Sequence, residues 1–399
     1  MGKAIQSVST TATVGAGSTV FCAPSGVNIN TVVEARAQVR FRSAGTIRGL
    51  SIVVATNATT ADSTCRTRIN GANGNQLITI PSATTGNFQD TTNSDSVAAS
   101  DLVCTTVVNG GGGTILVSNI MFEFDATTNT VIKNVSCADV NFSTASATVF
   151  APLGGSLIWG TVEADTQARV RAAGTLKNLA IHIRTNGRST SSTLVSRLNG
   201  ANGNLSITIA SLTTGILEDT TNSDTLASAD LSNFQLTTGT GTGNLNINTC
   251  GADYETTDSK FQMVGGFSTG TALTGATRFL SFGNSSQGHT TEARAATTMP
   301  FAFTARNLGI YCSANATTGA STVDLRVNNA SSAVTISVGA GLTGWFEDTT
   351  NSVSITTSDV ACWRIASGSG GSATWHTITM VGETSAPPPA TQRSYGFVI

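Results

Sequence analysis

The sequence predicts an all-β protein made of three tandem jelly-roll-like antiparallel β-sandwich domains. Three observations lead to this prediction. One segment of fourteen residues occurs three times at a constant interval. Apolar and polar residues alternate with a period of two between these segments. No window of ten or more residues carries the apolar period of 3.6 that an amphipathic helix would need.

The repeated segment determines the number of domains. It reads FQDTTNSDSVAASD at 88–101, LEDTTNSDTLASAD at 217–230 and FEDTTNSVSITTSD at 346–359. The spacing is 219 − 90 = 129 and 348 − 219 = 129 residues. This is the size of a whole domain and is far above a solenoid repeat. We therefore predict copies at 1–125, 126–254 and 255–384, followed by a proline-rich C-terminal arm at 385–399.

Strands are predicted where one column of alternate residues stays apolar in all three copies. In the first copy Leu50, Ile52 and Val54 alternate with more variable residues. The same column is apolar in the second copy and holds Leu308, Ile310 and Cys312 in the third. A period of two with one apolar face is typical of a half-buried strand in a sandwich wall.

Turn residues separate these strands. The hairpin signal NGANGN occurs in the first two copies, and Asn-Gly pairs adopt positive φ at little cost. The recurring Asp-Thr-Thr-Asn corner predicts turns in which the Asp side chain accepts hydrogen bonds from nearby amides. The glycine-rich segment at 110–113 and its two equivalents are interpreted as a flexible loop. We expect about eight strands per copy. Apolar pieces within 125–148 and 255–277 are expected to form edge strands of the following copy.

Composition excludes several classes of protein. Only 11% of residues are charged and the net charge is −2, with no basic stripe, so nucleic-acid binding is not expected. No apolar run is long enough for a transmembrane helix, so no membrane insertion is expected. The first ten residues lack the apolar core of a secretory signal. We expect cytoplasmic synthesis, with a virion or extracellular location afterwards.

The seven cysteines indicate hydrophobic packing more than redox or metal chemistry. Cys22, Cys65 and Cys312 stand in columns where the other copies carry ordinary hydrophobes. Cys104 and Cys362 occupy equivalent positions, whereas Cys137 and Cys250 have no cysteine counterpart. The sequence contains no CxxC spacing, so it predicts no zinc site. The cysteine pattern also gives little support to a disulfide framework. No cofactor is expected.

Four charged columns persist in every copy, and they are the candidate site residues. They are Glu34, Glu163 and Glu292; Arg68, Arg197 and Arg326; Asp90, Asp219 and Asp348; and Asp101, Asp230 and Asp359. We interpret them as structural repeat columns, that is, Glu–Arg pairs and turn caps within a copy or at a boundary between copies. The alternative is a glycosidase that uses Glu34 and Asp90 as paired carboxylates. Calcium at the Asp corners is conceivable, but Asx turns explain the corners without a metal.

The remaining candidate groups do not recur. None of the three histidines has a histidine counterpart in another copy, so we expect no repeated catalytic or metal-binding histidine. Trp345, Trp363 and Trp375 gather in the third copy. Core packing is the favoured interpretation of these tryptophans, and a carbohydrate-stacking face is the alternative. We therefore predict no catalytic and no metal-binding residues, and a protein that is not an enzyme.

The motifs AGTIRGLSIVVATN, RINGANGNQLITI and DTTNSDSVAASDL resemble a repeat of predicted structural proteins of tailed phages and of environmental phage-like sequences. The resemblance covers most of each copy, although the third has PFAFTARNL in place of the Ala-Gly-Thr start. It implies a jelly-roll component of a virion surface, fibre or decoration. The expected partners are other copies of the chain or other virion proteins. A carbohydrate-binding adhesion module and a polysaccharide-acting enzyme are the alternatives, with a cell-surface glycan as partner.

Two arrangements of the copies are compatible with the sequence. Jelly rolls of this kind often assemble as trimers, so three joined copies could close as a pseudo-trimer, and joining removes the concentration dependence of assembly. The rival arrangement is a row of domains that polymerises into a filament through the C-terminal arm.

Overall fold

The structure is a computed structural model that describes residues 2–10, 13–27, 30–127, 129–135, 140–154, 159–256, 259–282 and 288–384. Cys137 and the predicted arm 385–399 lie outside the described residues. The chain folds into three lobes, each a pair of packed antiparallel sheets. The predicted all-β class and the three jelly-roll-like sandwiches are confirmed.

The helices and strands are arranged along the chain in three successive sets, one for each lobe. The first lobe contains β1 (Gly2–Ser9), β2 (Thr13–Val14), β3 (Thr19–Cys22), β4 (Gly26–Val27), β5 (Asn30–Thr31), α1 (Glu34–Ala37), β6 (Val39–Arg40), β7 (Gly45–Asn57), β8 (Ser63–Ile69), β9 (Ala72–Ile80), β10 (Gly86–Gln89), β11 (Ser94–Val97), β12 (Leu102–Val108) and β13 (Ile115–Ala126). The second lobe contains β14 (Thr130–Val135), β15 (Val140–Phe142), β16 (Thr148–Pro152), a 3-10 helix (Glu163–Asp165), β17 (Ala168–Arg169), β18 (Gly174–Asn186), β19 (Ser192–Leu198), β20 (Ala201–Ile209), β21 (Gly215–Leu226), β22 (Leu231–Thr237) and β23 (Leu245–Thr256). The third lobe contains β24 (Lys260–Leu273), β25 (Thr277–Leu280), a 3-10 helix (Glu292–Arg294), β26 (Thr297–Thr298), β27 (Phe303–Asn315), β28 (Ser321–Val327), β29 (Ala330–Val338), β30 (Gly344–Ile355), β31 (Val360–Ala366) and β32 (Ala373–Glu383).

Each lobe has the strand order of a jelly roll. In the third lobe one sheet has the order β24-β32-β27-β30 and the other has the order β25-β31-β28-β29. The first sheet of every lobe is called the seam sheet and the second the outer sheet. The equivalent seam sheets are β1-β13-β7-β10 and β14-β23-β18-β21, and the equivalent outer sheets are β3-β12-β8-β9 and β16-β22-β19-β20. The predicted number of about eight principal strands per copy is therefore right.

Each core lies between the two sheets of a lobe. Leu50 and Ile52 in β7 are fully buried, as are their equivalents in the other lobes. Trp363 and Trp375 are also fully buried, so both belong to the core of the third lobe and neither can stack on a sugar at the surface. Cys22, Cys65 and Cys312 are buried among hydrophobic side chains, which confirms their interpretation as small hydrophobes.

Turn and linker predictions also agree with the structure. Asn70 and Gly71 have φ values of 51° and 81°, which is the pattern of a type I′ hairpin, and the equivalent pair in each other lobe has positive φ as well. The apolar pieces of the connecting stretches form β14 and β24, the first strands of the second and third seam sheets. Strand β24 lies at an edge as predicted, whereas β14 also pairs in parallel with β1 through Gly2 and Thr130, which joins the first two seam sheets. Strand β13 ends at Ala126 and β23 ends at Thr256. The boundaries at 125, 254 and 384 stay a prediction.

The glycine-rich loop corrects one prediction. A Cβ added at Gly113 would lie 2.0 Å from the carbonyl oxygen of Ala58, and one at Gly112 would lie 2.0 Å from the hydroxyl of Thr60. The loop therefore packs tightly against the β7–β8 connection. Its glycines allow this close approach of two backbones, so the interpretation as a flexible loop is wrong.

The outward face of the seam sheet corrects a second prediction, namely that strands such as β7 are buried on one face only. Ser51 and Val53, in the variable column of β7, are fully buried. The neighbouring lobe covers them: the 3-10 helix at Glu292–Arg294 and strand β26 of the third lobe pack against β7. The helix α1 packs on β23 and strand β17 on β32 in the same way. Each lobe therefore covers the next one and the third covers the first, which closes a three-lobed ring.

The first prediction concerns the glycine-rich loop. Gly113→Ala should lower the free energy of unfolding by about 1–3 kcal/mol, because the new methyl group meets backbone that cannot move away cheaply. Gly15→Ala is the matched control, since its Cβ would find only the Ser18 hydroxyl at 3.4 Å. Urea unfolding followed by circular dichroism measures both. A neutral or stabilising Gly113→Ala would mean that the glycine serves loop flexibility instead.

Candidate functional site

The Glu and Arg columns form one ion pair in each lobe. Arg68 in β8 donates from Nε to Oε1 of Glu34 at 2.9 Å and from Nη2 to Oε2 at 2.8 Å. Arg197 with Glu163, and Arg326 with Glu292, have the same two-pronged geometry within 2.8–3.0 Å. Planar pairs of this kind fix orientation as well as distance. Each pair therefore ties a short helix to the outer sheet of its own lobe.

A buried thiol lies beneath two of these ion pairs. Cys104 is fully buried and its Sγ lies 3.8 Å from Oε1 of Glu34. Burial raises the pKa of Cys104, and the negative charge of Glu34 raises it further. Burial likewise raises the pKa of Cys362 beside Glu292. Since a thiolate is the reactive form of cysteine, both groups are kept unreactive.

The Asp90 column makes the repeated corner. One oxygen of Asp90 accepts from the amides of Thr92 and Asn93, and the other accepts from the amide of Leu77 at 2.8 Å. Asp219 and Asp348 repeat these contacts. Both oxygens thus already face donors, as Asx turns require. A cation at the corner would have to replace those donors.

The Asp101 column caps a second turn. Asp101 accepts from Asn70 Nδ2 at 2.7 Å and from the amide of Ala98 at 2.8 Å. Asp230 and Asp359 have the equivalent partners. All twelve predicted residues therefore serve local contacts within their lobes. Glu34 and Asp90 belong to separate hydrogen-bond sets, because Arg68 holds Glu34 and backbone amides hold Asp90.

The residues that join the lobes form three seams. In the first seam, residues 38–42 of the first lobe lie on the seam sheet of the second lobe. In the second seam, residues 167–171 lie on the seam sheet of the third lobe. In the third seam, residues 296–300 lie on the seam sheet of the first lobe. The three seams occupy equivalent places but differ in chemistry.

The first and second seams are charged. Arg42 donates from Nε to Glu218 at 3.0 Å and from Nη2 to the same carboxylate, while Arg40 Nη1 donates to Glu218 at 2.8 Å. In the second seam Arg169 and Arg171 share Glu347 at 2.9 and 2.7 Å.

The buried guanidinium of the second seam also constrains the sheet beneath it. Arg171 lies over the ring of Trp345 at 5.9 Å. Its Nη2 would lie 1.7 Å from a Cβ added at Gly309, so only glycine fits beneath it.

The third seam is neutral. Asn87 Nδ2 donates to the carbonyl of Ala296 at 3.2 Å, and Asn87 Oδ1 accepts from the amide of Thr298 at 3.2 Å. Asn119 donates to the hydroxyl of Thr297 at 2.8 Å. Pro300 packs on Gly49, whose added Cβ would lie 2.8 Å from the proline Cβ. These hydrogen bonds, between residues that the structure describes, therefore join uncharged groups.

Apolar packing near the centre of the ring also closes the third seam. Ala4, Ile5 and Met121 of the first lobe belong to the hydrophobic core of the third lobe. Lys3 lies over the ring of Phe301 at 5.6 Å. The first strands of the three lobes, β1, β14 and β24, contact one another. The structure thus favours the closed pseudo-trimer over a row of separate domains.

A serine, a histidine and an aspartate meet at the second seam. His376 Nε2 lies 2.7 Å from Ser313 Oγ and 3.6 Å from Asp165 Oδ1. Both partners approach the same ring nitrogen, and Nδ1 is buried without a hydrogen-bond partner among the described residues. A catalytic triad needs the acid and the nucleophile on opposite nitrogens. Burial lowers the pKa of His376 against the attraction of Asp165, so a neutral ring is favoured.

Sequence reasoning missed the seams, although a signal was present. Residues 38–42 read QVRFR and residues 167–171 read QARVR, whereas residues 296–300 read ATTMP. The facing column reads Gln89, Glu218 and Glu347. The two arginine pairs therefore match the two glutamates, each found one copy further along the chain. Comparing the charge of adjacent copies would have found this pattern.

Comparisons with known proteins identify no relative, since neither a family model nor a curated protein matches the chain. Across the residues that the structure describes, no group of three or more His, Cys, Asp or Glu is arranged to hold a metal ion. No helix in the same residues is long and apolar enough to cross a membrane.

The second prediction concerns acid stability. Burial raises the pKa of Asp90 and of Asp219, but hydrogen bonds from Asn93 or Asn222 and from backbone amides outweigh it and bring each pKa to about 2. A carboxyl whose folded pKa is depressed contributes stability above its unfolded pKa of about 3.9 and loses it as the pH falls through the folded value. Unfolding free energy should therefore fall between about pH 4 and pH 2.

Asp→Asn substitution at 90, 219 and 348 tests this dependence. The triple variant should be less stable at pH 7. The side-chain amide nitrogen of each new Asn is itself a hydrogen-bond donor and would face the donor N–H groups that now bind the carboxylate oxygen. Its stability should also change less from pH 4 to pH 2 than that of the original chain. Urea titrations at a series of pH values measure both effects. If the free energy of unfolding of the triple variant falls between pH 4 and pH 2 as much as that of the original chain, other carboxyl groups cause the fall.

The third prediction concerns the charged seam. Glu218→Gln removes the carboxylate that Arg40 and Arg42 share, and should loosen the first seam by about 3 kcal/mol. Hydrogen exchange of β18 and β23 should rise while exchange in the outer sheet stays constant. Gln89→Ala, at the equivalent position of the neutral third seam, is the matched control and should change exchange little. Equal exchange in both variants would show that the ion pairs do not hold the seam.

Proposed function

We propose that the chain is a non-enzymatic structural component of a phage-like virion or of a self-assembling extracellular fibre. It would act as a surface, fibre or decoration protein. The observation that carries this proposal is the closed ring of three jelly-roll lobes formed by one chain. A ring of this kind has the shape of a jelly-roll trimer but needs no association of separate subunits.

The use of the recurring charged residues supports the proposal. A catalytic carboxylate needs access to substrate, whereas the twelve recurring residues bind neighbours within their own lobes. What is repeated three times is therefore the means of holding loops and short helices in shape. Shape and contact surface are what a structural component has to maintain.

The proposed partners are further copies of the chain or other particle proteins. The exposed residues of the outer-sheet edge strands β9, β20 and β29 are mostly Thr, Ser and Asn. Surfaces with few charges lose little hydration energy when another protein covers them. A virion or extracellular location would follow from this role.

The alternatives have weaker support. Trp345 remains the one tryptophan of the third lobe that is partly exposed, and Arg171 lies over its ring. The stacking face required for an adhesion module of that lobe is therefore partly covered. For a polysaccharide-acting enzyme, Glu34 and Asp90 would first have to leave their hydrogen-bond partners.

The fourth prediction tests the role directly. An antibody against the purified chain should label phage-like particles from the source culture in negative-stain electron microscopy. The chain should sediment with those particles in a density gradient. A chain found only in the soluble fraction would contradict the proposal. So would polysaccharide turnover that disappears in the variant Glu34→Gln, Glu163→Gln, Glu292→Gln.

A further inference from the structure

The second seam contains a buried histidine. His376 in β32 of the third lobe is only 2% exposed. Asp165, from the 3-10 helix of the second lobe, reaches it across the seam, with Oδ1 3.6 Å from Nε2. On the other side the ring packs against its own lobe, since a Cβ added at Gly270 would lie 2.5 Å from Cε1. Both lobes therefore enclose the ring, and separating them would bring it into contact with water.

The hydrogen bonds of this ring suit its neutral form. Ser313 Oγ lies 2.7 Å from Nε2, and the Asp165 carboxylate approaches the same nitrogen. We assign the proton of the neutral ring to Nε2, because two oxygen atoms there can accept it. Nδ1 is buried without a hydrogen-bond partner among the described residues. A second proton would therefore create a buried N–H group that has no acceptor, which is unfavourable.

The groups that face the ring do not compensate for this. Burial lowers the pKa of His376, and the attraction of Asp165, which raises it, is the smaller effect. Tyr311 of β27 lies against the ring with centroids 5.7 Å apart, and burial raises the pKa of its hydroxyl, so it carries no charge near neutral pH. Gly270 of β24 contributes no charge. The neutral ring is therefore the form that the closed seam favours.

The other charges of this seam are already paired. Arg169 and Arg171 both bind Glu347 of β30, at 2.9 and 2.7 Å. Arginine keeps its charge at every pH at which the protein is folded, whereas histidine changes its charge between about pH 5 and pH 8. Of the groups named here, His376 is therefore the one that responds to mild acid.

The third lobe alone has a histidine at this position of the repeat. The strand pairing places Ser118 of β13 and Asn248 of β23 at the same irregular point of the last strand, and neither side chain can take up a proton near neutral pH. The first seam has a different histidine, His182, whose Nδ1 lies 3.4 Å from the side-chain amide of Asn248. That amide can turn its oxygen toward a protonated ring. Nδ1 of His376 has no such acceptor among the described residues.

We propose that the second seam is an acid-sensitive latch, which opens when His376 takes up a second proton. The charged ring is better solvated outside the seam, so protonation favours separation of the second and third lobes while each lobe stays folded. Opening would expose more of Tyr311 and Trp345, which pair on the seam sheet of the third lobe. The closed seam is stable above the ordinary histidine pKa of about 6.5 and loses stability as the pH falls below it. The proposal goes beyond the structural role and does not depend on where the ring of lobes is assembled.

Two amides whose hydrogen bonds cross between lobes report the opening of individual seams. The Arg171 N–H donates across the second seam to Gln262 Oε1 at 2.7 Å. The Thr298 N–H donates across the third seam to Asn87 Oδ1 at 3.2 Å. Hydrogen exchange of both amides in the full chain, followed by NMR at about pH 7.5 and about pH 5.5, therefore compares the two seams within one sample.

The comparison variant is His376→Asn, which copies Asn248 and cannot be protonated. The ratio of exchange in the original chain to exchange in the variant removes the intrinsic effect of pH on exchange. For Arg171 this ratio should rise by about threefold to tenfold from about pH 7.5 to about pH 5.5, as expected for a histidine that is protonated mainly in the open seam. For Thr298 it should stay constant. An unchanged ratio for Arg171 would refute the latch, and His376→Ser, which copies Ser118, repeats the test if His376→Asn does not fold.

Two further results separate the latch from general acid unfolding. If exchange in the outer strands β28 and β31 rises together with that of Arg171, the third lobe unfolds as a whole and the latch is refuted. His289→Gln is the control variant, because His289 is a second buried histidine of the third lobe, whose pKa is lowered to about 4 by burial and by Arg294. This variant should keep the acid response of Arg171. Loss of the response would assign it to His289 and overturn the role of His376.

Discussion

The covering of each seam sheet by the neighbouring lobe is the contact on which the rest of the structure depends. A two-layer sandwich buries only the faces between its sheets, yet Ser51 and Val53 on the opposite face are fully buried. Each lobe therefore has a buried interior and takes part in two seams, one with each neighbour. Because one chain supplies all three lobes, their effective concentration is high without any association step. The variable column of the sheet can change only together with the residues that cover it.

The three seams divide two kinds of stabilisation between them. The first and second seams join consecutive lobes, and each has two arginines on one glutamate. Directional charge pairs fix register and contribute less net free energy than burial does. The third seam joins the two ends of the described chain. It is neutral and packs Ile5 and Met121 into the core of the third lobe. In the seam that no linker reinforces, apolar side chains of one lobe therefore enter the core of the other.

Features that recur in all three copies, such as the sandwich strands, could be predicted from the sequence. Features that differ from copy to copy, such as the seams, could not. The 129-residue repeat and the alternation around Leu50 were sufficient for the fold, because hydrophobic periodicity reports burial between sheets. The seams could be found only by comparing one copy with the next, since each seam joins one repeat column of a copy to a different column of its neighbour.

Insertions also disturb the alignment of the repeat columns. Ile115 pairs with Asn57 and Leu245 with Asn186, so the second lobe has one extra residue in its glycine-rich loop. Constant spacing therefore misaligns the last strand, where His376 lies.

The middle lobe is the only one that carries both halves of a charged seam. It presents Arg169 and Arg171 to the third lobe and Glu218 to the first. The first lobe has the arginines but Gln89 at the acidic position, and the third lobe has Glu347 but no arginine pair. A self-complementary unit is what a symmetric trimer of identical subunits needs, because every interface must use the same two surfaces. The middle lobe thus carries both halves of the interface that such a trimer would use. The first lobe lacks the acid, the third lobe lacks the arginine pair, and hydrogen bonds between uncharged groups join these two surfaces instead. In the joined chain each seam uses two surfaces that no other seam uses, so the third seam can differ in chemistry without disturbing the other two.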